Sequence, residues 1–238
     1  MKIIAHRGYS GKYPELSPIA FEQAFAQPIF GVECDIRLSK DGVIVVHHDA
    51  TLNRTSDRCG KVSSLLWKEI ACADIGGEDY PGQHPLQLSE LLEMHKGTGK
   101  HLFIETKHPS IAGPALEKAL VAELRRHNLL ESEEIHAISF SHSAIRRMKQ
   151  LAPRIDRIYL RREWERTLNP NDILFSDPTG LGLSVLRARL RPASIGAHGL
   201  PTYMWTVNRP EDMRWAWANG VDMIATDEVT TALQTLKY

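Results

Sequence analysis

The 238-residue sequence predicts a single-domain α/β fold of the (β/α)8 barrel type, and three observations support this prediction. Short apolar segments alternate with longer amphipathic segments along the whole chain. About eight such units fit the length, and no repeat or Pro/Gly/Ser-rich linker divides them. Strand–helix alternation favours a parallel sheet, because parallel neighbours need crossover connections. One domain over residues 1–238 is therefore expected, and an open, doubly wound sheet is the alternative that periodicity leaves open.

The strand candidates are short apolar runs that end at polar residues or glycine. In chain order they are residues 2–5, 31–36, 42–46, 101–105, 135–140, 157–160, 181–185, 202–207 and 223–225. The run 42–46 follows Lys40 and Asp41, and we expect it to form a hairpin-like strand that ends at residues 47–49.

The helix candidates show apolar residues near a 3.6-residue period. They are residues 17–26, 63–70, 89–95, 114–127, 143–151 and 210–219. Ser63 and Ser89 are each expected to act as the N-cap of the helix that they begin. The clearest helix is 114–127, in which Leu116, Leu120 and Leu124 share one face.

Composition narrows the possible partners of the protein. Lys and Arg balance Asp and Glu at 29 each, so the formal charge of zero does not support binding to nucleic acid or to an anionic membrane. No run of about 18 apolar residues is present, so no membrane span is expected. Cys34, Cys59 and Cys72 are odd in number and lack CxxC spacing, which favours free thiols in a reducing compartment. The apolar start of the chain is too short for a signal peptide, and a cytoplasmic location is expected.

Polar residues concentrate where the predicted strands end. His6 and Arg7 follow the first strand, His48 follows the hairpin strand, and two further groups lie at the ends of other strands. These groups are Glu33 with Asp35, and Glu105 with Lys107. Because the carboxyl ends of barrel strands meet at one rim, we expect all these side chains to converge there.

Glu33 and Asp35 are expected to share one face of their strand, with Cys34 on the other face. Two carboxylates on one face repel each other unless a cation lies between them, and Glu105 can supply a third carboxylate from a neighbouring strand. An oxygen-only set of this kind suits one divalent cation, Mg²⁺ or Ca²⁺, with Mn²⁺ also suitable. The alternative is that Glu33 and Asp35 pair with basic residues, Arg37 and Lys40, on a solvated strand end.

His6 and His48 are the acid–base candidates, because imidazole can give or take a proton near neutral pH. The Arg7 guanidinium matches two phosphate oxygens, and Lys107 adds a second positive charge. Three carboxylates, a divalent cation, these two basic side chains and a phosphodiester monoanion together carry no net charge. Burial of charge favours such a neutral assembly.

The chain resembles the glycerophosphodiester phosphodiesterase family over almost its whole length. The resemblance rests on segments that occur in the order of the family: HRGYSGKYPE (6–15), VECDIRLSKDGVIVVHHDATLNRTS (32–56), PLQLSELLE (85–93), FIETK (103–107), WTVN (205–208) and VDMIATDE (221–228). It implies a (β/α)8 barrel, a metal ion bound by Glu33, Asp35 and Glu105, and a catalytic pair of His6 and His48.

The resemblance also assigns residues to substrate binding. It implies that Arg7 and Lys107 hold the phosphate and that Trp205 lines the pocket near the glycerol end; a tryptophan of the barrel core is the alternative. The chain departs from the family at Leu16, where the family usually has Asn. Ser17 replaces the usual Thr and can still cap a helix.

The implied reaction is the metal-dependent cleavage of a small glycerophosphodiester, such as glycerophosphocholine or glycerophosphoethanolamine, to glycerol 3-phosphate and an alcohol. Three alternatives stay open: a lysophospholipase-D-like or sphingolipid phosphodiesterase, a barrel that binds glycerophosphate groups without catalysis, and another metal-dependent barrel enzyme such as a lyase or aldolase.

Substitution of His48 by Ala is expected to lower activity by about 10²–10⁴-fold, because acid–base catalysis commonly contributes that much. The measurement is steady-state release of glycerol 3-phosphate. A variant that kept nearly the full rate would contradict the role assigned to His48.

Overall fold

The structure is a computed structural model, and it describes residues 1–110, 113–161 and 170–237. The described strands, in chain order, are β1 (Lys2–Ala5), β2 (Gly31–Leu38), β3 (Ile44–Val46), β4 (His101–Thr106), β5 (Ile135–Ser139), β6 (Asp156–Arg161), β7 (Gly180–Ser184), β8 (Thr202–Trp205) and β9 (Met223–Thr226). The eight parallel strands other than β3 form a closed barrel, because β1 pairs with both β9 and β2. This confirms the predicted fold class. The domain expected over 1–238 includes residues 111–112, 162–169 and 238, which lie outside the described residues.

Helices cover the outside of the barrel. They are α1 (Pro18–Phe25), α2 (Trp67–Ile70), α3 (Leu88–His95), α4 (Ala115–Arg126), α5 (His142–Leu151), α6 (Pro170–Ser176), α7 (Val185–Leu190), α8 (Pro210–Ala218) and α9 (Val229–Leu236). In residues 1–110, 113–161 and 170–237, none of the helices has the length and apolar character needed to cross a membrane.

Two apolar layers hold the barrel together. Inward-facing side chains such as Ile4, Phe103 and Tyr203 fill the barrel interior. The opposite faces of the strands pack against the helices in a larger cluster that includes Ile3 and Cys34. The alternation of side chains along each strand therefore separates the interior of the barrel from the helix-facing layer.

The hairpin of β2 and β3 has a direct consequence for the rim. β2 continues beyond its parallel neighbours, and β3 returns antiparallel to it with Ile36 opposite Val46. The N–H of His47 donates to the carbonyl of Asp35 at 2.9 Å. This pairing brings His48 back to the level of Asp35, near the end of the parallel pairing of β2 with β4, as the hairpin-like prediction for residues 42–46 requires.

Two helix predictions were wrong in their starting residues. The predicted helix 63–70 is divided into a short 3₁₀ helix, Val62–Ser64, and α2. The chain is extended at Leu65, whose carbonyl accepts a hydrogen bond from the N–H of Lys40, and this contact interrupts the helix. The helix predicted to begin at Ser89 is α3, which begins at Leu88.

The caps explain both shifts, because neither predicted serine acts as an N-cap. The N–H of Gln87, before α3, donates to the Glu90 carboxylate at 2.7 Å. The N–H of Leu66, before α2, donates in the same way to Glu69. A carboxylate inside the first turn therefore stabilises each helix start, and Ser89 lies within the first turn of α3.

Candidate active site

The carboxyl rim of the barrel brings the predicted site residues together around a cavity of about 260 Å³. The lining residues are His6, Arg7, Glu33, His48, Glu105, Lys107, Ile138, Phe140, Leu160, Tyr203, Trp205 and Thr206. Asp35, the one predicted site residue outside this lining, contacts Lys107 and Arg7. The convergence expected from the strand ends is therefore present.

Three carboxylates form the base of the site. Glu33 and Asp35 alternate with Cys34 on β2, so both point into the barrel while the buried Cys34 thiol faces the helix layer. The parallel register places Asp35 beside Glu105 of β4. One oxygen of each carboxylate lies within 4.8 Å of the others, and all three residues are buried.

Two basic side chains contact this carboxylate cluster. Lys107 Nζ lies 2.7 Å from Glu105 Oε1 and 3.1 Å from Asp35 Oδ1. Arg7 Nε lies 3.3 Å from Asp35 Oδ2, and the backbone N–H of Arg7 donates to Glu33 Oε2 at 3.0 Å.

Arg37 and Lys40 do not replace these partners. The Arg37 guanidinium donates to the carbonyl of His48, and no ion pair of the described residues joins Arg37 or Lys40 to Glu33 or Asp35. The solvated-pair alternative is therefore wrong.

The carboxylates differ in protonation because their surroundings differ. Burial and the adjacent Asp35 charge raise the pKa of Glu33 to about 8. Burial also raises the pKa of Glu105, although Lys107 opposes this shift. Burial acts in the same direction on Asp35, but Lys107 and Arg7 outweigh it and lower the pKa of Asp35. The surroundings therefore favour the ionised form of Asp35 and disfavour the ionised form of Glu33.

His6 is oriented by a carboxylate that directly follows the last strand of the barrel. Its Nδ1 lies 2.7 Å from Asp227 Oδ1, and Asp227 accepts further hydrogen bonds from Ser10 Oγ and Asn208 Nδ2. Burial lowers the pKa of His6, but the Asp227 hydrogen bond and the Glu33 charge outweigh it, so the pKa is raised. The same hydrogen bonds, acting against burial, lower the pKa of Asp227 to about 2.

His48 is oriented in a similar way by its neighbour. Its Nδ1 lies 2.7 Å from Asp49 Oδ1, and Asp49 Oδ2 accepts a hydrogen bond from Arg54 Nε at 2.6 Å. Burial lowers the pKa of His48, and the Lys107 and Arg7 charges add to this lowering against the opposing charge of Asp35. Since Nδ1 of His6 and of His48 is bound to a carboxylate, Nε2 is the nitrogen left to exchange protons with a ligand.

The loop between β1 and α1 holds Arg7 in an uncommon backbone conformation. Arg7 has φ of 57° and Leu16 has φ of 59°, both in the left-handed region. The N–H of Leu16 donates to the carbonyl of Arg7 at 3.0 Å, and the Leu16 side chain is buried in the apolar layer. Ser17 caps α1 by accepting the N–H of Ala20, as predicted.

Sequence reasoning did not assign Glu15, Asp49, Arg54, Asn208 or Asp227, which contact the site residues or the partners of those residues. Each of them lies within a segment that carries the family resemblance, and this membership was the signal that could have identified them. Their contacts join residues far apart in the chain, such as His6 with Asp227, so spacing alone does not reveal the partners.

Trp205 lies on the apolar side of the cavity. Its ring packs edge-on against Phe140 at a centroid distance of 5.1 Å, and Trp205 also contacts the barrel-interior cluster. The buried Trp205 Nε1 has no hydrogen-bond partner among the described residues. Trp205 therefore combines both expected positions, since it packs on the barrel core and lines the cavity.

The barrel rim carries an acidic cluster, two oriented imidazoles and two basic side chains. These are features of a phosphoric diester hydrolase. The model of the glycerophosphoryl diester phosphodiesterase family matches residues 6–231, and the chain belongs to this family. The protein is therefore an enzyme of the phosphoric diester hydrolase class.

Individual relatives agree with this assignment. The chain is 30% identical to a glycerophosphodiester phosphodiesterase of Caldanaerobacter subterraneus subsp. tengcongensis, over 99% of this chain and 97% of the relative. Among solved structures, a phosphodiesterase of Oleispira antarctica in complex with the product sn-glycerol-3-phosphate superimposes with a TM-score of 0.92. That protein is 26% identical, and the match covers 100% of this chain and 97% of the other.

Replacement of Asp227 by Asn is expected to lower the pKa of His6, because the Asp227 carboxylate raises this pKa against the effect of burial. The pKa is measured on the chelator-treated protein by following the ¹⁵N shifts of the His6 ring against pH. Asp49→Asn is the matched control and is expected to lower the pKa of His48 only. An unchanged His6 pKa in Asp227→Asn would contradict the assigned hydrogen bond.

Proposed function

We propose that the enzyme hydrolyses small glycerophosphodiesters to glycerol 3-phosphate and an alcohol, with one divalent cation bound by Glu33, Asp35 and Glu105. The observation that carries this proposal is the cluster of three buried carboxylates, within 4.8 Å of one another, below the cavity that His6 and His48 line. The product complex of the Oleispira antarctica relative supports glycerol 3-phosphate as the product.

The residues present fit a hard divalent cation. All donors of the cluster are carboxylate oxygens, which Mg²⁺, Ca²⁺ and Mn²⁺ prefer over soft ligands. Burial and the Asp35 charge raise the pKa of Glu33, so a further positive charge would favour the ionised form of the cluster. A divalent cation bound there would supply Lewis-acid polarisation of a phosphate oxygen.

Arg7 and Lys107 are suited to bind the phosphodiester. Both side chains line the cavity and both contact Asp35, so their positive charges are held at the edge of the carboxylate cluster. The Arg7 guanidinium can donate two hydrogen bonds to phosphate oxygens, and Lys107 adds a point charge. These contacts orient the phosphorus and stabilise negative charge that develops on its oxygens.

His6 and His48 are suited to move the two protons that hydrolysis requires. One imidazole takes the proton of the attacking hydroxyl group, and the other gives a proton to the departing alkoxide as its bond to phosphorus breaks. The pKa of His48 is lowered, which favours His48 as the base. The pKa of His6 is raised, which favours His6 as the acid. The attacking group is water or the 2-hydroxyl of the substrate. Attack by the 2-hydroxyl would give a cyclic phosphate that water then opens.

The apolar side of the cavity is suited to the glycerol half of the substrate. Trp205 and Phe140 provide an apolar wall that can contact the carbon atoms of the glycerol. A lysophospholipid substrate would need a larger apolar rim. Of the large apolar side chains exposed in the described residues, none lines this cavity, which favours a small glycerophosphodiester.

Purified enzyme is expected to release glycerol 3-phosphate from glycerophosphocholine with Mg²⁺ or Ca²⁺ but not with EDTA, because the proposed reaction needs a cation bound by the carboxylate cluster.

Asp35→Asn is expected to lower kcat/KM by about 10²-fold or more, because substrate positioning depends on this cluster. The exposed Asp79, which does not line the cavity, provides the matched control Asp79→Asn with unchanged activity.

Full activity in EDTA would contradict the proposed role of the cation. Absence of product with every cation, together with hydrolysis of micellar lysophosphatidylcholine, would instead favour the lysophospholipase-D-like alternative. Binding of glycerol 3-phosphate without turnover of either substrate would favour a barrel that only binds glycerophosphate groups.

A further inference from the structure

Arg54 connects two loops of the active-site rim. It follows β3 and lies outside the cavity lining, and its side chain is 49% exposed. Its guanidinium donates to both oxygens of Glu15, each at 2.8 Å, and to Asp49 Oδ2 at 2.6 Å. Glu15 belongs to the loop after β1, whereas Asp49 belongs to the loop after β3.

Each of these carboxylates contacts a residue of the cavity. Glu15 Oε1 accepts a hydrogen bond from Arg7 NH1 at 3.0 Å, and Asp49 Oδ1 lies 2.7 Å from Nδ1 of His48. The Arg54 guanidinium therefore lies at the centre of a chain of charged groups that runs from Arg7 to His48. Neither Arg7 nor His48 contacts Arg54 directly in the described hydrogen bonds and ion pairs.

The geometry of these contacts requires a guanidinium. Three of its nitrogens donate at once, two to Glu15 and one to Asp49, in a fixed planar arrangement. A lysine ammonium at position 54 could donate to one carboxylate but would not present this planar fork. The hydrogen bonds and the charge of Arg54 also lower the pKa of Glu15 and of Asp49 against the effect of burial, which favours both as ionised acceptors.

We propose that Arg54 is a positioning residue that fixes the orientation of Arg7 through Glu15 and of His48 through Asp49. This inference rests on the proposed function, because it assigns Arg54 to the phosphate-binding and proton-transfer steps. Without Arg54, Glu15 and Asp49 each lose their shared partner and can rotate away from the cavity residues. Small displacements of reacting groups lower rates by up to about 10²-fold.

The test compares Arg54→Ala, Arg54→Lys and the control Arg58→Ala on glycerophosphocholine. Arg58 is exposed and its guanidinium donates to the backbone carbonyl of Cys72, so its loss is expected to leave activity unchanged. Arg54→Ala is expected to lower kcat/KM by about 10–100-fold, through both a lower kcat and a higher KM. Arg54→Lys is expected to recover only part of this loss, and millimolar guanidinium should rescue Arg54→Ala more than methylammonium does.

Double variants separate the two arms of the network. In a Glu15→Gln background, removal of Arg54 is expected to change kcat only, because the path to Arg7 is already broken. In an Asp49→Asn background, removal of Arg54 is expected to lower kcat/KM through Arg7 alone, because the path to His48 is already broken. Equal losses in both backgrounds and in the wild type would overturn the proposal, as would an Arg54→Ala enzyme with wild-type kcat/KM.

A readout that needs no turnover keeps this test separate from the proposed function. The ¹⁵N shifts and line widths of the His48 ring are expected to change in Arg54→Ala and to stay unchanged in Arg58→Ala. Unchanged His48 resonances in Arg54→Ala would overturn the positioning role. A wild-type enzyme that does not cleave glycerophosphocholine would overturn the proposed function, while the His48 resonances would still test the contacts of Arg54.

Discussion

The repulsion among three buried carboxylates is the constraint on which the rest of the site depends. Glu33, Asp35 and Glu105 lie too close together, and too far from water, to be ionised without positive charge. Lys107 and Arg7 balance two of these charges, and the raised pKa of Glu33 favours a proton in place of the third. A divalent cation with a phosphodiester monoanion adds one net positive charge, which is the charge that this proton supplies. Substrate and cation can therefore replace the proton without leaving a buried net charge.

The barrel makes this cluster possible because it fixes the strands before any ligand binds. Parallel pairing of β2 with β4 places Asp35 beside Glu105, and the hairpin of β2 and β3 returns His48 to the same level. Pairing of β1 with β9 brings His6 to Asp227 across almost the entire sequence. Apolar packing inside and outside the barrel therefore stabilises an arrangement of charges that would not form by itself.

The fold class could be predicted from the sequence, because strands and helices alternate along it. Strand ends and the two-residue alternation also predicted which polar side chains lie at the rim, whereas Trp205 was assigned only through the family resemblance. The division of the predicted helix 63–70 into two shorter helices could not be predicted, since it depends on a backbone hydrogen bond from Lys40 to Leu65. The contacts of Arg54 and Asp227 also escaped prediction, because they depend on how loops meet in space rather than on spacing. Local periodicity thus predicts which residues reach the rim, whereas tertiary contacts decide their partners.

Binding of a cation by the three carboxylates can be tested with a crystal structure of the enzyme soaked in Mn²⁺, with anomalous diffraction used to locate the metal. One strong anomalous peak per chain is expected at the barrel rim, within bonding distance of an oxygen from each of Glu33, Asp35 and Glu105. An Asp35→Asn crystal treated in the same way provides the comparison and is expected to show a weaker peak or none. A peak elsewhere, or an intact cluster that binds no metal at saturating Mn²⁺, would contradict the claim that these carboxylates are held together to bind a cation.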